Sequence, residues 1–100
     1  MVKHIILWQL KDEFSGEQKC EIKAGIKSGL ESLKGKIPGL IEIKVQTEGL
    51  ASSNVDVMLD STFENEQALK FYSTHPLHVK VANEKVRPFT AVRSCLDFEI

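Results

Sequence analysis

The spacing of apolar residues in this chain switches repeatedly between the period of a strand and the period of a helix. Apolar residues at every second position indicate a half-buried strand, and apolar residues three and four apart indicate a helix. The pattern predicts a strand, a helix, two strands, an interrupted helical region and a last strand. Their bounds are Val2–Leu10, 16–35, Leu40–Thr47, Val55–Phe63, Asn65 to Pro88 with a break at Pro76, and Val92–Ile100.

Local signals fix the start of the first helix. Ser15 is a suitable N-cap, and Gln18 three residues later completes a capping-box pattern. Gly25 and Gly29 interrupt the predicted helix, and each costs about 1 kcal/mol relative to alanine. Either this weakness is tolerated, or the helix approaches a neighbouring element closely at these positions. The stripe predicted to be buried consists of Ile22, Ile26, Gly29, Leu30 and Leu33.

The order of these elements is β-α-β-β-α-β, which is the split βαβ arrangement of ferredoxin-like domains. This arrangement predicts an α+β fold with four antiparallel strands and both helices on one face of the sheet. A chain of 100 residues is long enough for one such domain and too short for two. We therefore expect a single domain over residues 1–100.

The first strand is apolar on both of its faces, and this feature predicts how the chain assembles. His4, Ile6 and Trp8 alternate along one face, while Ile5 and Leu7 alternate along the other. Because the helices cover only one face, we expect Ile6 and Trp8 to lie on the uncovered one. Large exposed apolar patches are rare on monomers and usually mark an interface. The pattern therefore predicts a homodimer joined sheet to sheet, with His4 on the shared face.

Composition excludes several classes of function. Thirteen basic and fourteen acidic residues give a net charge of −1, which lacks the basic excess that nucleic-acid binding requires. The longest apolar run, Ile5 to Trp8, is far too short to span a membrane. The N-terminal residues show no signal-peptide pattern, so we expect a cytoplasmic protein. In that reducing compartment Cys20 and Cys95 should be free thiols, and Cys20 should be exposed.

One cluster of residues could carry chemistry. His75 and His78 follow Tyr72 closely, and His4 is the only other histidine. Tyr72 and His75 share a helix face if the helix continues that far. Pro76 suits the first position of a new helical turn, which would place His78 near a helix N-terminus and favour its neutral form. A structural role remains open for each residue: His75 with Pro76 as a helix stop, His78 as a histidine bonded to a backbone carbonyl, and Tyr72 as a core residue. No metal site and no cofactor are predicted, because no third ligand or phosphate-binding loop is evident.

Three segments together resemble the stress-responsive A/B barrel family, also called Dabb: VKHIILWQLKDE, IPGLIEIKVQTEG and FENEQALKFYSTHPLHVKV. The resemblance covers nearly the whole chain and implies a dimeric α/β barrel with a cavity between helices and sheet. A plant branch of this family closes polyketide rings, and its acid–base pair corresponds to His78 and Tyr72, with a strand histidine matching His4. The third strand departs from that branch, because Val57 stands where the cyclases have a histidine.

Two functions follow as hypotheses. The first is a non-catalytic dimer that binds a small apolar or carbonyl-containing ligand or has a stabilising role under stress. The second is a cofactor-free cyclase or isomerase in which His78 removes a proton beside a carbonyl, Tyr72 supports the oxyanion and His4 assists. In either case His75 and Trp8 are predicted to contact the ligand. An open cavity reached by both His78 and Tyr72 would favour the enzyme.

Overall fold

A four-stranded antiparallel sheet with strand order β2-β3-β1-β4 forms the centre of the molecule. The structure, a computed structural model, describes all 100 residues. The strands and helices confirm the predicted ferredoxin-like order, with the second helical region divided into α2, α3 and a π-helical turn. Their bounds are β1 Val2–Leu10, α1 Gly16–Glu31, β2 Leu40–Gln46, β3 Val57–Phe63, α2 Glu66–Thr74, α3 Pro76–Val81, the π-helical turn Ala82–Val86, and β4 Thr90–Glu99.

The helix starts lie where the capping residues predicted them. The Ser15 hydroxyl accepts a hydrogen bond from the Gln18 amide, and the Gln18 side chain accepts one from the Ser15 amide. The Asn65 side chain caps α2 by accepting a hydrogen bond from the Ala68 amide. The predicted end of α1 is wrong, because the helix stops at Glu31 and continues as turns. Gly35 allows this ending, since its φ of +82° lies in the left-handed region.

Close approach explains one of the two glycines of α1. A Cβ atom at Gly29 would lie 3.0 Å from Cγ1 of Val81, so α1 and α3 come into tight contact at this point. A Cβ atom at Gly25 would meet only Cδ of Lys85, at an ordinary 3.7 Å. The sequence left two explanations open for these glycines. The structure shows that Gly29 allows a close approach between helices, whereas Gly25 is a tolerated weakness of the helix.

The predicted orientation of β1 is wrong. Val2, His4, Ile6, Trp8 and Leu10 are all buried within the single chain, and Trp8 is only 4% exposed. They face the helices, because the covered face of a sheet takes the larger apolar set. Trp8, Ile6 and His4 are therefore not on a face that a second copy could cover.

An apolar outer sheet face does exist, but other residues form it. Ile5 pairs across the sheet with Leu96 of β4 on this face and with Asp60 of β3, and Leu7 pairs with Met58. The residues of this outer face that are large, apolar and exposed come from the C-terminal segment: Val92, Leu96, Phe98 and Ile100. In the sequence these four residues are an even number of positions apart, which predicts that they share one face of the last strand, and the structure confirms it.

Strand β2 contains an irregularity that the alternation did not predict. Its pairing with β3 shifts between Leu40 and Glu42, so Leu40 is buried while Ile41 is 41% exposed. Ile43 and Val45 are buried as expected. In the sequence, Ile41, Ile43 and Val45 alternate with polar residues, which predicts one buried face for all three. This prediction is wrong for Ile41, because the extra residue of a bulge reverses the faces on one side of it.

The helices pack on the other three strands and leave the inner side of β4 uncovered. Arg93, Cys95, Asp97 and Glu99 alternate along that inner side, and all four are exposed. An open space therefore remains between β4 and the helical layer.

Both cysteines, Cys20 and Cys95, are free and exposed. None of the helices combines the length and the apolar character needed to cross a membrane.

Candidate functional site

The space beside β4 is a cavity of about 710 Å³ that opens to solvent. The inner faces of β1 and β4 form one wall, and α2, α3 and the π-helical turn form the other. Such a volume lies in the range of pockets that bind small molecules. Its lining combines an apolar floor with several polar side chains. The apolar residues include Ile6, Trp8, Leu69 and Val86, and the polar residues include His4, Tyr72, His78 and Arg93.

Tyr72 lies on the inner face of α2 and is fully buried against the sheet. Its ring lies between Phe63, at a centroid distance of 4.9 Å, and His78, at 4.2 Å. The hydroxyl oxygen has no hydrogen-bond partner. Burial raises the pKa of Tyr72 well above its ordinary value, so the phenol keeps its proton at neutral pH. A buried hydroxyl without a partner is costly, so its presence in a residue that lines the cavity calls for an explanation such as a catalytic role.

His78 lies in the first turn of α3, which Pro76 begins as predicted. Its Nδ1 donates a hydrogen bond to the carbonyl oxygen of Ser73 at 3.3 Å. Because a carbonyl can only accept, Nδ1 carries the proton in this arrangement and Nε2 is left with a lone pair. His78 therefore has the tautomer that a general base requires.

The electrostatic surroundings keep His78 neutral. Desolvation by burial lowers the pKa of His78 below its ordinary value, and the positive charges of Arg87 and Arg93 act in the same direction. The hydrogen bond to Ser73 opposes part of this shift. The predicted direction is confirmed, and burial is its largest cause.

His4 enters the cavity from β1, on the wall facing Tyr72. The two rings are 6.3 Å apart, centroid to centroid. The Nδ1 atom of His4 is hydrogen-bonded to the carboxylate of Asp97, which lies directly opposite on β4. This hydrogen bond holds the imidazole ring in place, and the other ring nitrogen, Nε2, makes no hydrogen bond to either strand.

The two predicted ligand contacts lie in different places. Trp8 lines the cavity, as expected of a ligand contact. His75 lies outside it, because α2 ends at Thr74 and the residue before Pro76 is extended. The His75 Nδ1 atom accepts a hydrogen bond from the Leu77 amide and caps α3, so this histidine has the structural role that the sequence had left open.

Sequence reasoning missed the polar residues of β4. Cys95 Sγ lies 3.5 Å from the Asp97 carboxylate and 3.8 Å from His4 Nδ1. Desolvation, followed by the charge of Asp97, raises the pKa of the Cys95 thiol. The signal was present, because Arg93, Cys95, Asp97 and Glu99 alternate with the apolar residues of the outer face. It could not be used without knowing that the helices leave this strand uncovered.

The geometry agrees with a comparison against protein families. The model of the stress responsive A/B barrel domain, Dabb, matches residues 2–100. This chain belongs to the Dabb family. The match extends over every strand and helix that contributes to the cavity. None of the curated proteins matches this Dabb chain.

Solved structures of similar shape support the same fold. A dimeric protein of unknown function with a ferredoxin-like fold from Bacteroides fragilis is 32% identical, with a TM-score of 0.92, and the match covers 99% of this chain and 95% of that one. A dimeric ferredoxin-like protein of unknown function from Thermobifida fusca is 24% identical, with a TM-score of 0.79 and coverage of 99% and 90%. A hydroxynitrile lyase from Passiflora edulis is 22% identical, with a TM-score of 0.73 and coverage of 99% and 92%.

Proposed function

We propose that this Dabb protein is a cytoplasmic homodimer in which each chain binds a small carbonyl compound and moves a proton at the carbon beside the carbonyl. The observation that supports the proposal is that the side chains of His78 and Tyr72 line one open cavity. A neutral histidine with a free Nε2 and a buried tyrosine hydroxyl without a partner line the same space. These groups supply a base and a hydrogen-bond donor, which enolate formation needs.

In the proposed reaction, Nε2 of His78 takes the proton from the carbon next to the carbonyl. The electron pair of the broken C–H bond moves onto the carbonyl oxygen and forms an enolate. The hydroxyl of Tyr72 donates a hydrogen bond to this oxygen and keeps its own proton, because burial raises the pKa of the phenol. The enolate then recovers a proton from His78 at the same carbon or, in a conjugated ligand, at another carbon. Alternatively, it attacks a second carbonyl in the same molecule, and the oxygen of that carbonyl takes the proton from His78.

The remaining lining suits a ligand that is apolar in part. Ile6, Trp8 and Val86 offer an apolar surface on which a hydrocarbon or aromatic portion of the ligand can rest. His4, held by Asp97, faces this surface across from Tyr72 and provides a second polar contact. This arrangement supports the carbonyl-containing class of ligand and a compound of modest size.

The outer sheet face supports the homodimer. Leu96 is 64% exposed there, and Val92 and Phe98 extend the same apolar surface along β4. Surfaces of this kind on soluble proteins usually mark an interface. The similar proteins from Bacteroides fragilis and Thermobifida fusca are both described as dimeric. The two free cysteines agree with a reducing, cytoplasmic location.

The proposal can be tested with acetophenone carrying deuterium on its methyl group. Acetophenone is a small aromatic ketone, and its deuterium is replaced slowly in neutral water unless a base assists. We expect the protein to bind it, with chemical-shift changes at Trp8 and Tyr72 in NMR spectra, and to accelerate deuterium loss. His78→Gln should lower the accelerated rate about 100-fold, because general bases contribute factors of that order.

His75→Asn is the matched control, since asparagine also caps a helix and His75 lies outside the cavity. It should retain the full rate of deuterium loss. An equal rate in the wild type and in His78→Gln would contradict the proposed base. Binding with no acceleration at all would favour the other hypothesis, a non-catalytic dimer that binds ligands and has a role under stress.

A further inference from the structure

Three potential metal ligands from two neighbouring strands converge on the cavity wall. His4 of β1 lies directly opposite Asp97 of β4, and Cys95 is two residues before Asp97 on the same side of the strand. Their ligand atoms, Nδ1, Sγ and a carboxylate oxygen, all lie within 4.8 Å of one another. We propose that His4, Cys95 and Asp97 form a binding site for a thiophilic divalent cation, with Zn²⁺ as the preferred ion.

The distances between these atoms are close to those of a tetrahedral site. Bond lengths of about 2.0–2.3 Å place the ligand atoms of a tetrahedral zinc ion about 3.3–3.6 Å apart. Cys95 Sγ lies 3.5 Å from Asp97 Oδ1 and 3.8 Å from His4 Nδ1. Only the pair formed by His4 and Asp97 is closer, because these two groups share a hydrogen bond. The ion would replace the shared proton and separate that pair while the backbone stays in register.

The chemistry of the ligands selects the class of ion. A thiolate and an imidazole favour zinc over magnesium and calcium, which prefer oxygen ligands. One thiolate and one carboxylate together balance the charge of a divalent ion. Three protein ligands leave a fourth position open, as in catalytic rather than structural zinc sites. Cys95 and Asp97 are exposed to the cavity, so an ion can enter and its open position faces the ligand space.

The site shares His4 and Asp97 with the proposed ligand contact, but it uses neither the proposed base nor the proposed oxyanion donor. Its three ligands lie on the sheet wall, whereas His78 and Tyr72 lie on the helical wall. Cys95 takes no part in the proposed reaction. A variant of Cys95 should therefore weaken metal binding while deuterium loss without added metal remains unchanged.

The test is a titration of the whole reduced protein with Co²⁺, followed by displacement with Zn²⁺. Tetrahedral Co²⁺ gives intense visible bands, and a thiolate ligand adds a charge-transfer band in the near ultraviolet. We expect one equivalent of Co²⁺ per chain, both sets of bands, loss of the bands on addition of Zn²⁺, and retention of the bands in excess Mg²⁺. Absence of the thiolate band in the wild type would overturn the proposal.

Variants identify the ligands. Cys95→Ser should remove the charge-transfer band and weaken Zn²⁺ binding, measured by calorimetry, by about 100-fold, since loss of supporting groups alone costs 10–100-fold. Asp97→Asn should weaken it in the same direction, and circular dichroism verifies that both variants are folded. Cys20→Ser is the matched control and should change neither measurement. A band that survives Cys95→Ser, or disappears in Cys20→Ser, would overturn the assignment.

Discussion

At the scale of single residues, the pair formed by Tyr72 and His78 was predictable because both residues lie in one short segment. Tyr72 and His78 are six positions apart, and the proline between them indicated both the break and the new helical turn. Asp97, which holds His4, is 93 positions away from it. Such a contact depends on the register between the first and last strands, and periodicity alone does not determine register.

Tyr72→Phe separates a functional role from a structural one. The change removes a buried hydroxyl without a hydrogen-bond partner and keeps the ring contacts with Phe63 and His78. We expect the free energy of unfolding to rise by about 1 kcal/mol, because the desolvation penalty of the hydroxyl disappears. Urea denaturation measures this change, and the rate of deuterium loss from acetophenone should fall in the same variant. A loss of stability would show that the hydroxyl has a structural partner.

At the scale of secondary-structure elements, caps and breakers were predictable because they act within a few residues. The capping box at Ser15 and the proline at the start of α3 are both present. The end of α1 and the bulge at Ile41 were not predictable. Leu33 remains buried after the helix has ended, so its helical spacing extended the predicted helix too far. The bulge depends on pairing with β3, which the sequence of β2 alone does not contain.

The two glycines of α1 provide a paired prediction. Gly25→Ala should raise the free energy of unfolding by up to about 1 kcal/mol, because alanine favours the helix and the new Cβ meets ordinary contacts. Gly29→Ala should gain less or lose stability, because its Cβ would press on Val81 at 3.0 Å. Urea denaturation of both variants measures the difference.

Val81→Ala supplies the control for this pair. In that background the contact at Gly29 is relieved, and Gly29→Ala should then stabilise the chain as much as Gly25→Ala does. Equal gains in the wild-type background would show that α1 and α3 are not in tight contact.

At the scale of the whole molecule, the fold was predictable from the order of the elements, but the inner and outer faces of the sheet were not. Both faces of β1 are apolar, so β1 alone does not reveal which face the helices cover. The deciding information is in the second half of β4, where apolar Leu96 and Phe98 alternate with acidic Asp97 and Glu99. Because Leu96 pairs with Ile5, the apolar face of β4 identifies the outer face of the sheet, and Trp8 falls on the inner one.

Leu96→Lys tests the proposed dimer at the corrected surface. A charged side chain at the centre of an apolar interface would be buried without a partner, so we expect a monomer at micromolar concentration. Light scattering coupled to size-exclusion chromatography measures the mass. Leu50→Lys is the control, because Leu50 is also an exposed leucine, even more exposed than Leu96, but lies in the loop before β3. This variant should remain dimeric. A dimer that survives Leu96→Lys would place the interface elsewhere.

The central claim is that neutral His78 is the base for a ligand in the cavity, and the pH dependence of deuterium loss from acetophenone tests it most directly. Burial lowers the pKa of His78, so the base is fully deprotonated at a lower pH than an ordinary histidine with a pKa of about 6.5. The rate should rise with pH, show an inflection below 6.5 and then level off, and His78→Gln should lack this inflection. A midpoint at or above 6.5, or the same inflection in His78→Gln, would contradict the account.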